Sequence, residues 1–177
     1  MEAKIIELVK IIDPRGNLTV AEGCKDVPFD VKRVYWVYDV PAGESRGGHA
    51  HKRCKEFLIA LSGSFHVTLD NGKEKTSILL NHPYQGLFVD TDTWRTLDDF
   101  SSGAVCLVLA SEPFDEEDYI RDYHSFMEYI KNKPVLMIVH IGSVKQKGGI
   151  FCLHHIAIPT LLVGWCISFY LKHQVCS

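Results

Sequence analysis

The chain has 177 residues, of which 46% are hydrophobic and 23% charged, and its net charge is −3. That length suits one domain with a substantial core, and the charge balance gives no electrostatic ground for a nucleic-acid partner. Six cysteines without a CxxC pair, and an N-terminus "MEAKIIELVK" with no basic start ahead of a long apolar run, predict reduced thiols in the cytoplasm.

Up to about residue 110 the chain reads as short strands. "AKIIELV", "RVYWVYDV", "EFLIALSGSFHVTLD", "KTSILL", "GLFV" and "AVCLVLA" are rich in β-branched and aromatic residues, and "DPRGN", "PAGE", "DNGK", "NHPYQG" and "SSG" separate them. Asp70-Asn71-Gly72 predicts a hairpin closed by a type I′ turn. So many strands at short spacing predict an antiparallel sandwich or barrel rather than βαβ units. In "RVYWV" Tyr35 and Trp36 point to opposite strand faces, so one of the two faces inward.

The period then changes. In "FDEEDYIRDYHSFMEYIK" the apolar residues Tyr119, Ile120, Tyr123, Phe126, Met127 and Ile130 recur at helical spacing. Asp115 is placed to cap that helix, and Glu116, Glu117 and Asp118 suit its positive end. From Pro134 the composition shifts once more. Residues 132–177 form a tail of unassigned structure whose run Ile150 to Leu171 is long enough to cross a bilayer, although His154, His155 and Pro159 interrupt it. A membrane anchor, a segment covered by a partner subunit and a stretch without an evolved fold are the three readings of it, and membrane contact is the less favoured.

The chemistry concentrates in "RGGHAHKRCKEF", Arg46 to Phe57. On a strand, His49 and His51 present two imidazoles to one face, and Gly47 and Gly48 permit close backbone approach just before them. Histidine's ordinary pKa of about 6.5 suits it to taking and returning protons near neutrality. The same spacing also suits metal ligation, or two histidines that merely hydrogen-bond in place. No GxxxxGK or GxGxxG occurs, which argues against an ATP enzyme or a dinucleotide fold.

The wider spacing runs Gly43, five residues, His49-Ala50-His51, four residues, Glu56, six residues, Gly63. It resembles the first motif of the cupin superfamily and implies an all-β, jelly-roll-like antiparallel barrel, followed here by one C-terminal amphipathic helix. In metal-binding cupins the two histidines and the glutamate are ligands, with a third histidine from a second motif. The corresponding stretch is "GLFVDTDTWRTL", where Arg95 stands in place of that histidine. A guanidinium does not ligate and repels a cation, so no metal is expected.

"IIDPRGNLTVAE", "VPFDVKRVYWVYDVPAG", "RGGHAHK", "LSGSFHVTLDNG", "DFSSGAVCLVLAS" and "DEEDYIRDYHSF", in order from about Ile5 to Lys131, resemble the sugar 3,4-ketoisomerases that act on thymidine-diphosphate sugars. The resemblance implies a cofactor-free domain over residues 1–131. Such a domain moves the keto group of a dTDP-4-keto-6-deoxyhexose from C4 to C3, toward deoxysugars of bacterial surface glycans such as O-antigen. It further implies a cytoplasmic homodimer with exchanged N-terminal strands. By position, His49 and His51 fall on the family's active-site histidines, Tyr35 on an active-site tyrosine and Arg15 on a polar position near the nucleotide. Several members carry Trp-His where this chain has Trp94-Arg95, which bears on substrate stereochemistry. Acid–base groups supply about 10² to 10⁴ in rate, so an oxyanion stabiliser is also expected, with Arg95 and Tyr35 as candidates. Arg15 and Arg46 are candidates for binding the diphosphate, to which a forked guanidinium is well shaped, and Arg33 is a further candidate for substrate binding. A 3,5-epimerase of the same substrate and a metal-dependent cupin are the alternatives.

Overall fold

The computed structural model describes residues 4–134 and, in backbone only, residues 136–138 and 157–159. The chain divides into two compact units, Met1–Lys131 and Asn132–Ser177. In the second, strands Leu136–Ile138 and Ala157–Pro159 pair antiparallel. The expectations for Ile150 to Leu171 otherwise lie outside the described residues, among which no helix is long and apolar enough to cross a membrane.

Twelve strands build the first unit: β1 (Lys4–Glu7), β2 (Lys10–Ile11), β3 (Leu18–Thr19), β4 (Arg33–Val37), β5 (Arg46–His51), β6 (Glu56–Ser62), β7 (Phe65–Asp70), β8 (Lys75–Leu80), β9 (Gln85–Val89), β10 (Trp94–Asp98), β11 (Val105–Ala110) and β12 (Tyr119–Ile120). Two five-stranded antiparallel sheets, ordered β1-β9-β6-β11-β4 and β12-β5-β10-β7-β8, enclose the main core, as the cupin resemblance implied. The period of two then sorts every strand. Leu58 and Ala60 of β6 face inward, while Phe57 and Ile59 face out under Val27 and Phe29. Both faces of β6 are therefore covered, which is why "EFLIA" reads as an unbroken apolar run. On β4, Tyr35 packs against the core and Trp36 is exposed, which resolves the open choice between them.

The helix α1 (Tyr123–Asn132) starts later than the acidic run suggested. Asp115 does act as a cap, but of a short 3₁₀ turn at Glu116–Asp118, and Tyr119-Ile120 becomes β12 opposite His51 and Ala50. The α-helix is capped instead by Asp122, whose carboxylate accepts from Ser125 N at 2.7 Å. Phe126 packs with Ala50 and Ile120 over the outer face of the second sheet, so the apolar periodicity was read through a strand end that shares the same buried patch.

The hairpin at Asp70-Asn71-Gly72 forms, with Asp70 opposite Lys75, but its turn is not type I′. Gly72 has φ +82° while Asn71 is not in the left-handed region. The Asn71 side chain accepts from Lys73 N and Glu74 N, at 2.9 Å each, and so organises a four-residue loop.

Candidate active site

The inward face of the second sheet carries His49 and His51 from β5 and Arg95 from β10. Across the core the first sheet contributes Tyr35 from β4 and Glu56 from β6. Arg95 stands opposite His49 in the ladder, and the register slips by one residue between Arg95 and Thr96, so that Gly48 is bulged out. Both glycines have positive φ, +83° at Gly47 and +65° at Gly48. A Cβ on Gly47 would lie 2.9 Å from the Arg95 carbonyl oxygen, which explains the glycine at that position.

Arg95 is the centre of the cluster. Its side chain is 2% exposed, and Nη2 lies 2.5 Å from His49 Nε2, 3.0 Å from His51 Nε2 and 2.6 Å from Glu56 Oε2. The contact with Glu56 is one of opposite charges without an aligned hydrogen bond. Nη1 donates to the His49 carbonyl at 3.3 Å and fixes the plane of the guanidinium. The residues that hold a metal in metal-binding cupins therefore converge here on a guanidinium nitrogen. Its permanent positive charge opposes a cation at that point, so the donor set does not fit one.

The histidines differ. The Nδ1 of His49 faces the Gly47 carbonyl at 3.0 Å and that of His51 faces Asp118 Oδ2 at 2.8 Å. Both partners only accept, so in each neutral ring Nδ1 carries the proton and Nε2 bears the lone pair. His49 is half-buried, whereas His51 is 3% exposed. Their rings stand 5.1 Å apart, edge to face, and Tyr119 covers both at 4.9 and 4.3 Å. Burial first, and then the Arg95 charge, lower the His49 pKa to about 4.

The Glu56 carboxylate is 1% exposed. Burial pushes its pKa up, but Arg95, His51 and Tyr35 outweigh that and hold it at about 2. The Tyr35 hydroxyl donates to Glu56 Oε1 at 2.7 Å. Burial and that carboxylate push the phenol well above its ordinary range, so it stays protonated.

Of the other expected residues, Arg33 lies on the Tyr35 face of β4, its guanidinium 5.3 Å from the Tyr35 ring and 5.7 Å from that of Phe114. Its Nε is buried with no hydrogen-bond partner among the described residues. Arg46 is exposed at the start of β5, and Arg15 is exposed and held by Asp13 at 2.9 Å. Neither is brought to the histidines. Cys54 and Cys106 are free and buried, and burial pushes both thiols up, Cys106 to about 12, so neither is a nucleophile.

The sequence analysis missed Asp118, whose buried carboxylate meets His51, and Tyr119, because both stood inside a presumed helix. The signal available was an acidic residue beside a β-capable Tyr-Ile pair, which the stronger 3.6-residue period masked.

A family model described as "FdtA: WxcM-like, C-terminal" matches residues 1–131. A TDP-4-oxo-6-deoxy-alpha-D-glucose-3,4-oxoisomerase from Aneurinibacillus thermoaerophilus is 47% identical over 130 residues, 73% of this chain and 94% of that protein. Among solved structures, a 3,4-ketoisomerase from Helicobacter canadensis is 41% identical with a TM-score of 0.73, covering 75% of this chain and 99% of its own. A sugar 3,4-ketoisomerase from Thermoanaerobacterium thermosaccharolyticum, solved in complex with TDP, is 43% identical with a TM-score of 0.71, covering 73% and 94%. A mutant of that enzyme with one histidine changed to asparagine has been solved in complex with TDP-4-keto-6-deoxyglucose. With its inward histidine pair on a cupin barrel and its likeness to these enzymes along nearly their whole length, the chain belongs to the FdtA, WxcM-like family of sugar 3,4-ketoisomerases.

Proposed function

We propose that residues 1–131 form the catalytic domain of a dTDP-sugar 3,4-ketoisomerase, acting on a dTDP-4-keto-6-deoxyhexose in deoxysugar biosynthesis. The observation that carries this reading is the pair of imidazoles on one inward face with the Arg95 guanidinium between them. Relatives solved with TDP and with TDP-4-keto-6-deoxyglucose support the substrate class.

A hydrogen on carbon beside a carbonyl is acidic because its loss gives an enolate. In the reaction His49, the more accessible ring, takes the proton from C3, and the electron pair moves toward O4 to give an enediolate. The proton on O3 passes to O4, C4 receives a proton, and the carbonyl stands at C3. His51, too enclosed to meet the sugar, holds or relays the proton behind His49, and so close a pair titrates as a unit. Arg95 supplies the preorganised N–H donors for the developing oxyanion. As the sugar oxygen takes up an Arg95 N–H, the His49 lone pair is released for proton abstraction. Tyr35 has a single O–H, now given to Glu56, so its part is to hold that carboxylate and through it Arg95; contact with the oxyanion requires that bond to be exchanged.

Arg33 is the arginine best placed for the diphosphate, with an Nε–H that has no acceptor among the described residues, beside the Tyr35 end of the barrel. Arg46 is exposed at the start of β5, and Arg15 lies on an exposed N-terminal ribbon. That ribbon leaves Val9, Ile11, Ile12 and Leu18 exposed, and Val34 and Trp36 are exposed on β4, an edge strand. These surfaces support a homodimer in which N-terminal strands are exchanged and Arg15 is ordered by the second subunit. The protein acts in the cytoplasm, where nucleotide-sugar substrates are made.

The test is incubation with TDP-4-keto-6-deoxyglucose in the presence of a chelator, followed by proton NMR. The carbonyl moves from C4 to C3, and His49→Asn or His51→Asn stops the movement while TDP still binds. An unmoved carbonyl with exchange at C3 and C5 overturns the reading in favour of an epimerase, and dependence on a divalent metal overturns it in favour of a metal-dependent cupin.

A further inference from the structure

Asp118 lies outside the set of groups that meet the substrate, yet it is the most heavily committed carboxylate of the site. It is 3% exposed. Its Oδ1 accepts from Arg53 N at 2.7 Å, and its Oδ2 accepts from His51 Nδ1 at 2.8 Å and from Cys54 N at 3.2 Å. Its own carbonyl accepts from Lys52 N at 3.0 Å, and its neighbour Tyr119 pairs with His51 in the ladder. The backbone on both sides of the β5–β6 turn thus fixes this carboxylate against one nitrogen of one ring.

We propose that Asp118 is a positioning residue for the isomerisation: it locks His51 in the tautomer with Nδ1 protonated, which aims the Nε2 lone pair at Arg95 and so sets Arg95 Nη2 against the base His49. The inference rests on the ketoisomerase reading of the site. Its physical basis is that a carboxylate only accepts, so the ring can meet it only through an N–H. The other ring nitrogen is then left as an acceptor, and Arg95 only donates. Were His51 to carry its proton on Nε2, that N–H would meet the Arg95 N–H at 3.0 Å and turn to Glu56 Oε1 at 3.3 Å, and the guanidinium would lose the His51 lone pair that seats it beside His49. Asp118 touches neither substrate nor base and acts through two intermediaries.

Asp118→Asn gives a sharp test, because each oxygen of Asp118 faces a backbone N–H. The amide nitrogen must take one of the two places. The Oδ1 place faces Arg53 N at 2.7 Å and the Oδ2 place faces Cys54 N at 3.2 Å, so the looser Oδ2 place is the less costly for a donor. There the NH₂ faces His51 Nδ1 and forces the proton to Nε2.

Full-length wild-type and Asp118→Asn proteins, labelled with ¹⁵N-histidine, are compared for turnover of TDP-4-keto-6-deoxyglucose, for TDP affinity and for the imidazole ¹⁵N signals of His51. Expected are a fall in kcat of about 10²- to 10⁴-fold, the range over which loss of a histidine-orienting carboxylate acts, KM and TDP affinity within about threefold, and exchange of the two His51 nitrogen signals. Turnover within about threefold of wild type overturns the proposal, as does a fall in kcat with the His51 tautomer unchanged. If Asp118→Asn does not fold, the wild-type spectrum decides: protonated Nδ1 on His51 upholds the proposal, and protonated Nε2 overturns it. Failure of the parent reading is distinct, because then wild type itself leaves the carbonyl at C4.

Discussion

Arg95 and Glu56 bring their charged ends within 2.6 Å of each other across the core, each almost sealed from solvent. Removing one partner leaves a buried charge uncompensated. Arg95→Met and Glu56→Gln are each expected to cost about 3–5 kcal/mol of stability. The double variant is expected to recover much of that, giving a coupling energy of at least about 1 kcal/mol in the cycle. Chemical denaturation of the four proteins measures it, and additive losses would show that the pair is not coupled.

The acid limb of activity follows from His49. Its pKa is lowered to about 4, by burial first and then by Arg95. A lowered pKa keeps the ring neutral, with Nε2 unprotonated, as the pH falls through the ordinary value of about 6.5. The pH profile of kcat/KM is therefore expected to stay level through 6.5 and to fall near 4. A limb close to 6.5 would mean that the free enzyme does not hold its base as described.

The two glycines of the β5 bulge are not equivalent. Both need the left-handed region, which costs a substituted residue about 1–2 kcal/mol. Only at Gly47 does a Cβ also meet backbone, the Arg95 carbonyl at 2.9 Å, whereas Gly48 has open space. Gly47→Ala is expected to lower both stability and kcat, since it displaces Arg95 and the carbonyl that holds His49 Nδ1. Gly48→Ala is expected to cost about 1–2 kcal/mol with kcat nearly retained. Thermal melts and initial rates on the pair check this, and equal effects on kcat would disprove the asymmetry.

The exposed apolar surface makes a prediction about assembly. Trp36 is 59% exposed on an edge strand, and Ile12 is 78% exposed on the N-terminal ribbon. Sedimentation equilibrium is expected to give twice the chain mass, and Trp36→Asp to shift the protein toward monomer. A monomeric wild type at micromolar concentration would remove the dimer.

Much of this was legible in the residues. The strand at Lys75–Leu80 lies where "KTSILL" placed it, and His49 and His51 share a face because alternate residues on a strand must. The strand Trp94–Asp98 was not read as one, because its inward residues are an arginine and a leucine, and a buried Arg95 breaks the alternation of apolar and polar that marks a strand. Asp118 was hidden for a related reason. Its acidic neighbours and the apolar spacing around them fit a helix, but pairing of Tyr119-Ile120 with β5 offered a ladder and a buried patch that local propensity does not see.

By itself the sequence determined the local periods, the turns and the residue types available for chemistry, since these depend on neighbours a few positions away. Only the tertiary structure decided which imidazole is sheltered, which carboxylate orients it and that a guanidinium sits between the two rings. Those relations join His51 to Asp118, 67 positions along the chain, and Arg95 to His49, 46 positions away. Separations of that kind close only when strands far apart in the chain pair within one sheet, and burial beneath the other sheet then sets the charges and proton positions that the same side chains would not adopt in water.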